Sequence, residues 1–130
     1  CDMPIMQDSE AEYNDHQWLW DNAEGDIFIG GLGIGLVNHV LIDNPNITSI
    51  TIVEKYQDVI DLVWEHCAKD ERFNLIHADI ETWEIPTDSQ WDIGFFDTWL
   101  TDNDWSLEEY KNNMINKYSP HITQMNGWCW

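Results

Sequence analysis

The sequence has 130 residues, with 25 acidic side chains against 5 basic ones and a formal net charge of −20. A surface of this sign repels phosphate backbones, which excludes sequence-independent DNA or RNA binding and leaves either a solvated acidic surface or a site for a cationic ligand. The length predicts one domain over 1–130, and no apolar run reaches the ~18 residues of a membrane span.

Helical and strand patterns alternate along the chain. The predicted elements, in order, are a helix at 9–23, a strand at 26–31, a helix at 35–43, a strand at 49–55, a helix at 56–70, strands at 73–79 and 91–97, a helix at 106–118 and a strand from 127 onwards. This alternation indicates a parallel sheet with helices on both faces. Right-handed crossovers then bring the C-terminal ends of all strands to one edge, where such sheets bind ligands.

The first strand runs into a glycine turn at Gly30, Gly31, Gly33 and Gly35. A strand-to-helix turn without Cβ atoms lets a ligand reach backbone N–H groups at the start of the helix. The alternative is a turn needed only for close packing of helix on sheet. The spacing at 31, 33 and 35 departs from the dinucleotide pattern G-x-G-x-x-G, so nicotinamide cofactors are disfavoured, and no Walker phosphate loop is present.

The next three strands end in acids: Glu54, Asp79 and Asp97. Glu54 lies 19 residues after Gly35, close to the interval at which an acid accepts hydrogen bonds from ribose hydroxyls. Asp79 is a candidate acceptor for an adenine amino group. For each of these acids the alternative is a solvated carboxylate at a strand end.

Four segments resemble the successive motifs of S-adenosylmethionine-dependent methyltransferases with the Rossmann-like fold: "DIFIGGLGIG", "ITIVEKYQDVIDLV", "FNLIHADIETW" and "WDIGFFDTW". The adjacent Gly30 and Gly31, and the "DVI" helix start after Glu54, resemble the spermidine synthase-like branch. The short chain and the segment "DTWLTDND" resemble small methyltransferase-like proteins of phages and bacteria. The resemblance covers roughly 26–130.

The resemblance implies a cofactor, S-adenosylmethionine, and a role for each matching residue. The glycines would border the methionine moiety and ribose, Glu54 would hold the ribose hydroxyls beside Lys55, Asp79 and the Ile80 backbone would frame the adenine, and Asp97 would face the sulfonium. Asp97 would either remove a proton from the acceptor or orient an amine. The acid that many such enzymes carry two residues before the motif is replaced here by Ile29.

The fold implied is an α/β Rossmann-like three-layer sandwich with about five mainly parallel strands in the order 3-2-1-4-5. The usual last two strands are missing, so the fifth strand would leave an open edge and an uncovered apolar face, and we expect a homodimer there. Residues 1–25 would form an arm and a helix, with Trp18 and Trp20 as a lid. Four further tryptophans are predicted near the pocket, where they would either contact the ligand or build the core: Trp83, Trp91, Trp99 and Trp105.

Cysteine and histidine spacing predict no disulfide framework and no metal site. Cys1, Cys67 and Cys129 form no CxxC pair, which is typical of a reducing cytoplasm, and the five histidines lack zinc-ligand spacing. The function predicted is methyl transfer to a small acceptor, among which the acidic surface favours cationic ones, with no nucleic-acid or membrane partner. The alternatives are aminopropyl transfer from the decarboxylated cofactor and a non-catalytic nucleoside-binding protein.

Overall fold

The computed structural model describes residues 17–32, 36–96 and 107–127. In these ranges the helices are α1 (Gln17–Asn22), α2 (Leu36–Leu41), α3 (Gln57–Val63) and α4 (Leu107–Tyr118), with a short 3-10 helix at Trp64–His66. The strands are β1 (Gly25–Gly30), β2 (Ile47–Glu54), β3 (Phe73–His77), β4 (Trp91–Phe96) and β5 (Ile122–Gly127). All neighbouring strands pair in parallel, in the order β3-β2-β1-β4-β5. The predicted fold class and strand order are confirmed.

Two hydrophobic clusters cover the two faces of the sheet. The first joins α1 and α2 to alternate residues of the central strands, with Leu19 and Leu41 against Ile27 and Ile52. Side chains of α3 pack against its margin, and none of them is fully buried. The second cluster joins α4 to the opposite face. Helices therefore lie on both faces, as a parallel sheet with nearly continuous apolar strands requires.

The second cluster is built largely from aromatic rings around Phe28. The Phe28 ring lies 4.8 Å from Trp91 and 5.0 Å from Tyr118 between centroids, and it stacks on Trp83 at 6.1 Å. Trp83 belongs to the connection between β3 and β4, which contains no helix. For Trp83 and Trp91, the structure favours the interpretation as core residues over that of ligand contacts.

Several observed element boundaries differ from the predicted ones, and three of the differences concern the last strand, the third helix and the candidate site. The fifth strand was predicted from 127 onwards, whereas β5 is Ile122–Gly127; its exposed Thr123 and Gln124 interrupt the apolar run that marks a strand. The helix predicted over 56–70 ends earlier, at Val63, and continues as the 3-10 helix. The β3 strand ends at His77 rather than at 79, so Asp79 lies in the following turn. Residues 9–16 and 128–130 lie outside the described part of the chain.

Arg72 ties the start of β3 to the loop between α2 and β2. Its guanidinium donates to the carbonyls of Ile42, Asn44 and Ile47 at 2.7 to 3.2 Å. The same group pairs with Asp70 at 2.9 Å. These bonds lie at the N-terminal ends of the strands, whereas the predicted site lies at their C-terminal ends.

Candidate functional site

Glu54 and Asp79 lie at the C-terminal ends of two neighbouring strands, Glu54 on β2 and Asp79 in the turn after β3. Glu54 is the last residue of β2 and pairs with His77, the last residue of β3. The Ala78 N–H donates to the Glu54 carbonyl at 3.0 Å, and Asp79 follows directly. Both acids therefore lie at the carboxyl ends of parallel strands, where ligands of such sheets bind.

The turn after β1 approaches Glu54 through its backbone. Gly31 has φ 107°, a conformation that only glycine adopts without strain. Its N–H donates to the Val53 carbonyl at 2.8 Å, and the N–H of Leu32 donates to Glu54 Oε1 at 2.9 Å. The positive φ thus turns the chain so that a backbone donor meets the buried carboxylate.

Gly30 is explained by packing. A Cβ on this residue would lie 2.8 Å from Cδ1 of Phe96 and 3.3 Å from Cδ1 of Ile80. The side chains that exclude a larger residue here are therefore protein side chains. Gly33 and Gly35 lie outside the described residues, so of the predicted glycines only Gly31 has a described conformation that itself requires glycine.

The Glu54 carboxylate is buried, with 7% of the residue exposed, and is held by two backbone donors. In addition to Leu32, the N–H of Tyr56 donates to Oε2 at 2.9 Å. Charge-assisted bonds of this kind offset part of the cost of burying an anion. A carboxylate offers about four acceptor positions, so about two remain for hydroxyl donors of a ligand.

Asp79 is built into a tight turn and pairs with Lys55. Its Oδ1 accepts the N–H of Glu81 at 2.9 Å, and its carbonyl accepts the N–H groups of Thr82 and Trp83. Its Oδ2 lies 3.5 Å from Nζ of Lys55. The Asp79 charge is the main cause of a raised pKa at Lys55, which stays protonated and half exposed.

Ile80 has a buried side chain and a carbonyl that accepts two hydrogen bonds from α4. Tyr118 Oη donates to it at 2.7 Å and Lys117 Nζ at 2.9 Å. Burial lowers the pKa of Lys117, while Asp79 and Glu81 act in the opposite direction. The pattern of α4 places Tyr118 on its apolar side, and a buried tyrosine hydroxyl needs a partner, but the sequence does not indicate which one.

The remaining predicted positions divide into core residues and residues outside the described ranges. Ile29 is fully buried in the first cluster, where an acid would be costly. Trp18 stacks on Phe95 at 6.5 Å between centroids, and Trp20 packs against the same cluster. Asp97, Trp99 and Trp105 lie outside the described part of the chain, as do Gly33 and Gly35.

Three further findings concern the described residues. No group of three or more histidine, cysteine or acidic side chains is arranged to hold a metal ion within these ranges. An open cleft of about 430 Å³ lies at the opposite edge, next to Gly25 and Asp92. Across the described ranges, every helix is too short or too polar to span a membrane.

Comparisons with known proteins match the fold and not the sequence. No family model and no curated protein matches the chain. Solved structures do: a proposed RNA methyltransferase from Pyrococcus horikoshii has a TM-score of 0.63 at 14% identity over 87% of this chain and 56% of its own. The glycopeptide N-methyltransferase MtfA, complexed with S-adenosylmethionine, has a TM-score of 0.62 at 13% identity over 91% and 51%.

A proposed caffeoyl-CoA O-methyltransferase from Staphylococcus aureus has a TM-score of 0.62 at 17% identity, over 92% of this chain and 55% of its own. The chain thus spans about half the length of these structures. Its five-stranded parallel sheet in the order 3-2-1-4-5, with helices on both faces, is the Rossmann-like fold that these methyltransferases share.

Proposed function

We propose that this protein is an S-adenosylmethionine-dependent methyltransferase. The observation that carries the proposal is the position of two acids at the C-terminal ends of neighbouring strands: Glu54 ends β2 and meets the turn after Gly31, and Asp79 lies in the turn that follows β3. The similarity of the fold to methyltransferases supports it, including MtfA complexed with S-adenosylmethionine. The spermidine synthase-like alternative rests only on the resemblance of the Gly30–Gly31 and "DVI" segments to that branch.

The hydrogen-bond acceptors at these strand ends fit the adenosine half of the cofactor. The acceptor positions left on Glu54 match two ribose hydroxyls in number. Asp79 Oδ2 meets Lys55 only at 3.5 Å and is suited to accept from an amino group. The cofactor, when bound, supplies a methyl group on a sulfonium. The protein's part is to hold both reactants in line, with Asp97 proposed to orient the acceptor or take its proton.

The acceptor is proposed to be small and neutral or cationic. The similar structures act on different acceptor classes by their descriptions, among them RNA and a glycopeptide, so the fold leaves the acceptor open. The acceptor class is therefore proposed from the charge of the protein, because a net charge of −20 opposes binding of a polyanion such as RNA. Small amines and other cations are attracted to the same surface.

Titration calorimetry with S-adenosylmethionine, its decarboxylated form and NAD tests the proposal. We expect S-adenosylmethionine to bind most tightly and NAD not to bind. Incubation with radiolabelled methyl donor and a panel of amines, nucleosides and RNA should label an amine or another small acceptor. Preference for the decarboxylated form would favour aminopropyl transfer, and binding without any labelled product would favour a non-catalytic protein.

Replacing Glu54 tests its assignment directly. Glu54→Ala should weaken binding of S-adenosylmethionine at least tenfold, a loss of about 1.4 kcal/mol or more, because charged acceptors for the ribose are removed. Since Glu54 also holds the backbone at Leu32 and Tyr56, binding is measured at a temperature where circular dichroism shows the variant folded. Asp26→Asn, at the opposite edge, is the control. An unchanged dissociation constant for Glu54→Ala would refute the role.

A further inference from the structure

We propose that Tyr118 and Lys117, consecutive residues at the end of α4, are positioning residues that set the direction of the Asp79 carboxylate. The inference rests on the proposed function, in which Asp79 accepts from the adenine amino group. Neither residue was among the candidates that the sequence provided. Both donate to one acceptor, the Ile80 carbonyl, at 2.7 Å from Tyr118 and 2.9 Å from Lys117.

The connection to Asp79 runs through a single rigid peptide unit. The Ile80 carbonyl and the Glu81 N–H belong to the same planar trans peptide, and they point in opposite directions. The carbonyl is held by α4, and the N–H donates to Asp79 Oδ1 at 2.9 Å. Fixing the carbonyl therefore fixes the donor that orients the carboxylate, and hydrogen bonds in such a chain strengthen one another.

Packing makes this arrangement stiff at both ends. Tyr118 is fully buried, and its ring contacts Phe28 at 5.0 Å and Phe96 at 5.2 Å between centroids. The Ile80 side chain is also buried, against Gly30. A hydroxyl on an immobile ring pays little entropy to hold its acceptor, so the peptide plane is set before any ligand arrives.

The distribution of charge supports a role for this turn beyond packing. The whole chain has five cationic side chains against 25 acidic ones, namely Lys55, Lys69, Arg72, Lys111 and Lys117. Two of the five lie at this turn: Lys55 pairs with Asp79, and Lys117 donates to Ile80. In so acidic a chain, the placement of two of the five cations at this one turn favours a role for the turn beyond packing.

A selectivity measurement separates positioning from simple stabilisation. The probes are S-adenosylmethionine and its inosine analogue, which has an oxygen in place of the adenine amino group. In wild-type protein, an oriented Asp79 carboxylate should favour the amino form. Tyr118→Phe removes only the hydroxyl. It should weaken binding of S-adenosylmethionine about fivefold and change the dissociation constant of the inosine analogue by no more than about twofold.

Lys117→Met should reduce the same preference, and Lys117→Arg, which retains a charged donor, should restore it. Lys111→Met on the same helix controls for loss of charge. Ile47→Val, which costs about 0.5–1.5 kcal/mol of stability in the other cluster, controls for destabilisation. Neither control should change the ratio of the two dissociation constants.

Each result separates this inference from the proposed function. If binding of both ligands weakens equally in Tyr118→Phe and Lys117→Met, or if neither dissociation constant changes, the positioning role is overturned while the cofactor assignment stands. If wild-type protein binds neither ligand, the proposed function fails and the inference fails with it. Should Tyr118→Phe not fold, the ratio measured for Lys117→Met and Lys117→Arg decides the question alone.

Discussion

At Gly30, the side chains of Phe96 and Ile80 occupy the space that a Cβ would need. The residue ends β1 next to Gly31, whose positive φ is needed for the turn itself. The two adjacent glycines are therefore required for different physical reasons: Gly30 because a side chain would clash, and Gly31 because of its backbone conformation. The sequence shows both as the same letter, which is why it predicts a ligand at each of them.

We expect Gly30→Ala to lower the free energy of unfolding by about 1–3 kcal/mol, because the added methyl group overpacks a full core. Urea denaturation followed by tryptophan fluorescence measures the change. The double variant Gly30→Ala/Phe96→Leu should recover part of the loss, since leucine lacks the ring edge that meets the methyl group. Equal stability of Gly30→Ala and wild type would show that the space is open.

Asn38 is fully buried in α2, and among the described residues neither its amide nitrogen nor its amide oxygen has a hydrogen-bond partner. Burying an unpaired amide costs free energy that an apolar side chain of similar size does not. Asn38→Leu should therefore raise the free energy of unfolding by about 1–2 kcal/mol. Thermal and urea unfolding check this, with Asn38→Asp expected to be less stable than wild type. A loss of stability in Asn38→Leu would mean that the amide has a partner in solution.

At the scale of elements, apolar periodicity predicts most of the fold and turn chemistry predicts the rest less well. The alternation of strands and helices is enough to derive a parallel sheet covered on both faces. It fails for β5, because Thr123 and Gln124 are exposed on this last strand and break the apolar pattern. It also gives no indication that the backbone N–H groups of Leu32 and Tyr56 donate to Glu54, because nearly every residue has a backbone N–H and the residue type does not show which of them binds.

The ion pair of Arg72 with Asp70, at the start of β3, should make stability depend on pH. Hydrogen bonds from Arg72 lower the pKa of Asp70. A carboxyl with a lowered folded pKa adds stability that is complete above its ordinary pKa of about 4 and is lost as the pH falls through the folded value. The stability difference between wild type and Asp70→Asn should therefore be present at pH 7 and shrink toward zero near pH 2. Denaturation curves across this range measure it, and a difference independent of pH would exclude the ion pair as its source.

At the scale of the whole molecule, a net charge of −20 dominates behaviour in solution. Self-repulsion opposes the compact state, and it also opposes a homodimer through the exposed edge of β5, whose outward Thr123 and Gln124 are polar. The homodimer stays a prediction, and screening by salt should favour both folding and association.

Between about 0.05 and 1 M NaCl, where the Debye length falls from more than 10 Å to about 3 Å, we expect the melting temperature to rise and the dimer fraction to increase. Differential scanning fluorimetry and light scattering after size exclusion measure the two effects. Sucrose at matched osmolality, which does not screen charge, should leave the dimer fraction unchanged. A single monomeric species at both salt concentrations would exclude the dimer.

The aromatic cluster around Phe28 also bears on how the chain acquires its structure during synthesis. Its contacts join residue 28 to Trp91 and Tyr118, so they span most of the sequence. Such distant pairings must wait until Tyr118 has left the ribosome, and parallel sheets form slowly for this reason. Until Tyr118 emerges, the nascent chain exposes one apolar side of its central strand, so this is the interval in which aggregation competes with folding.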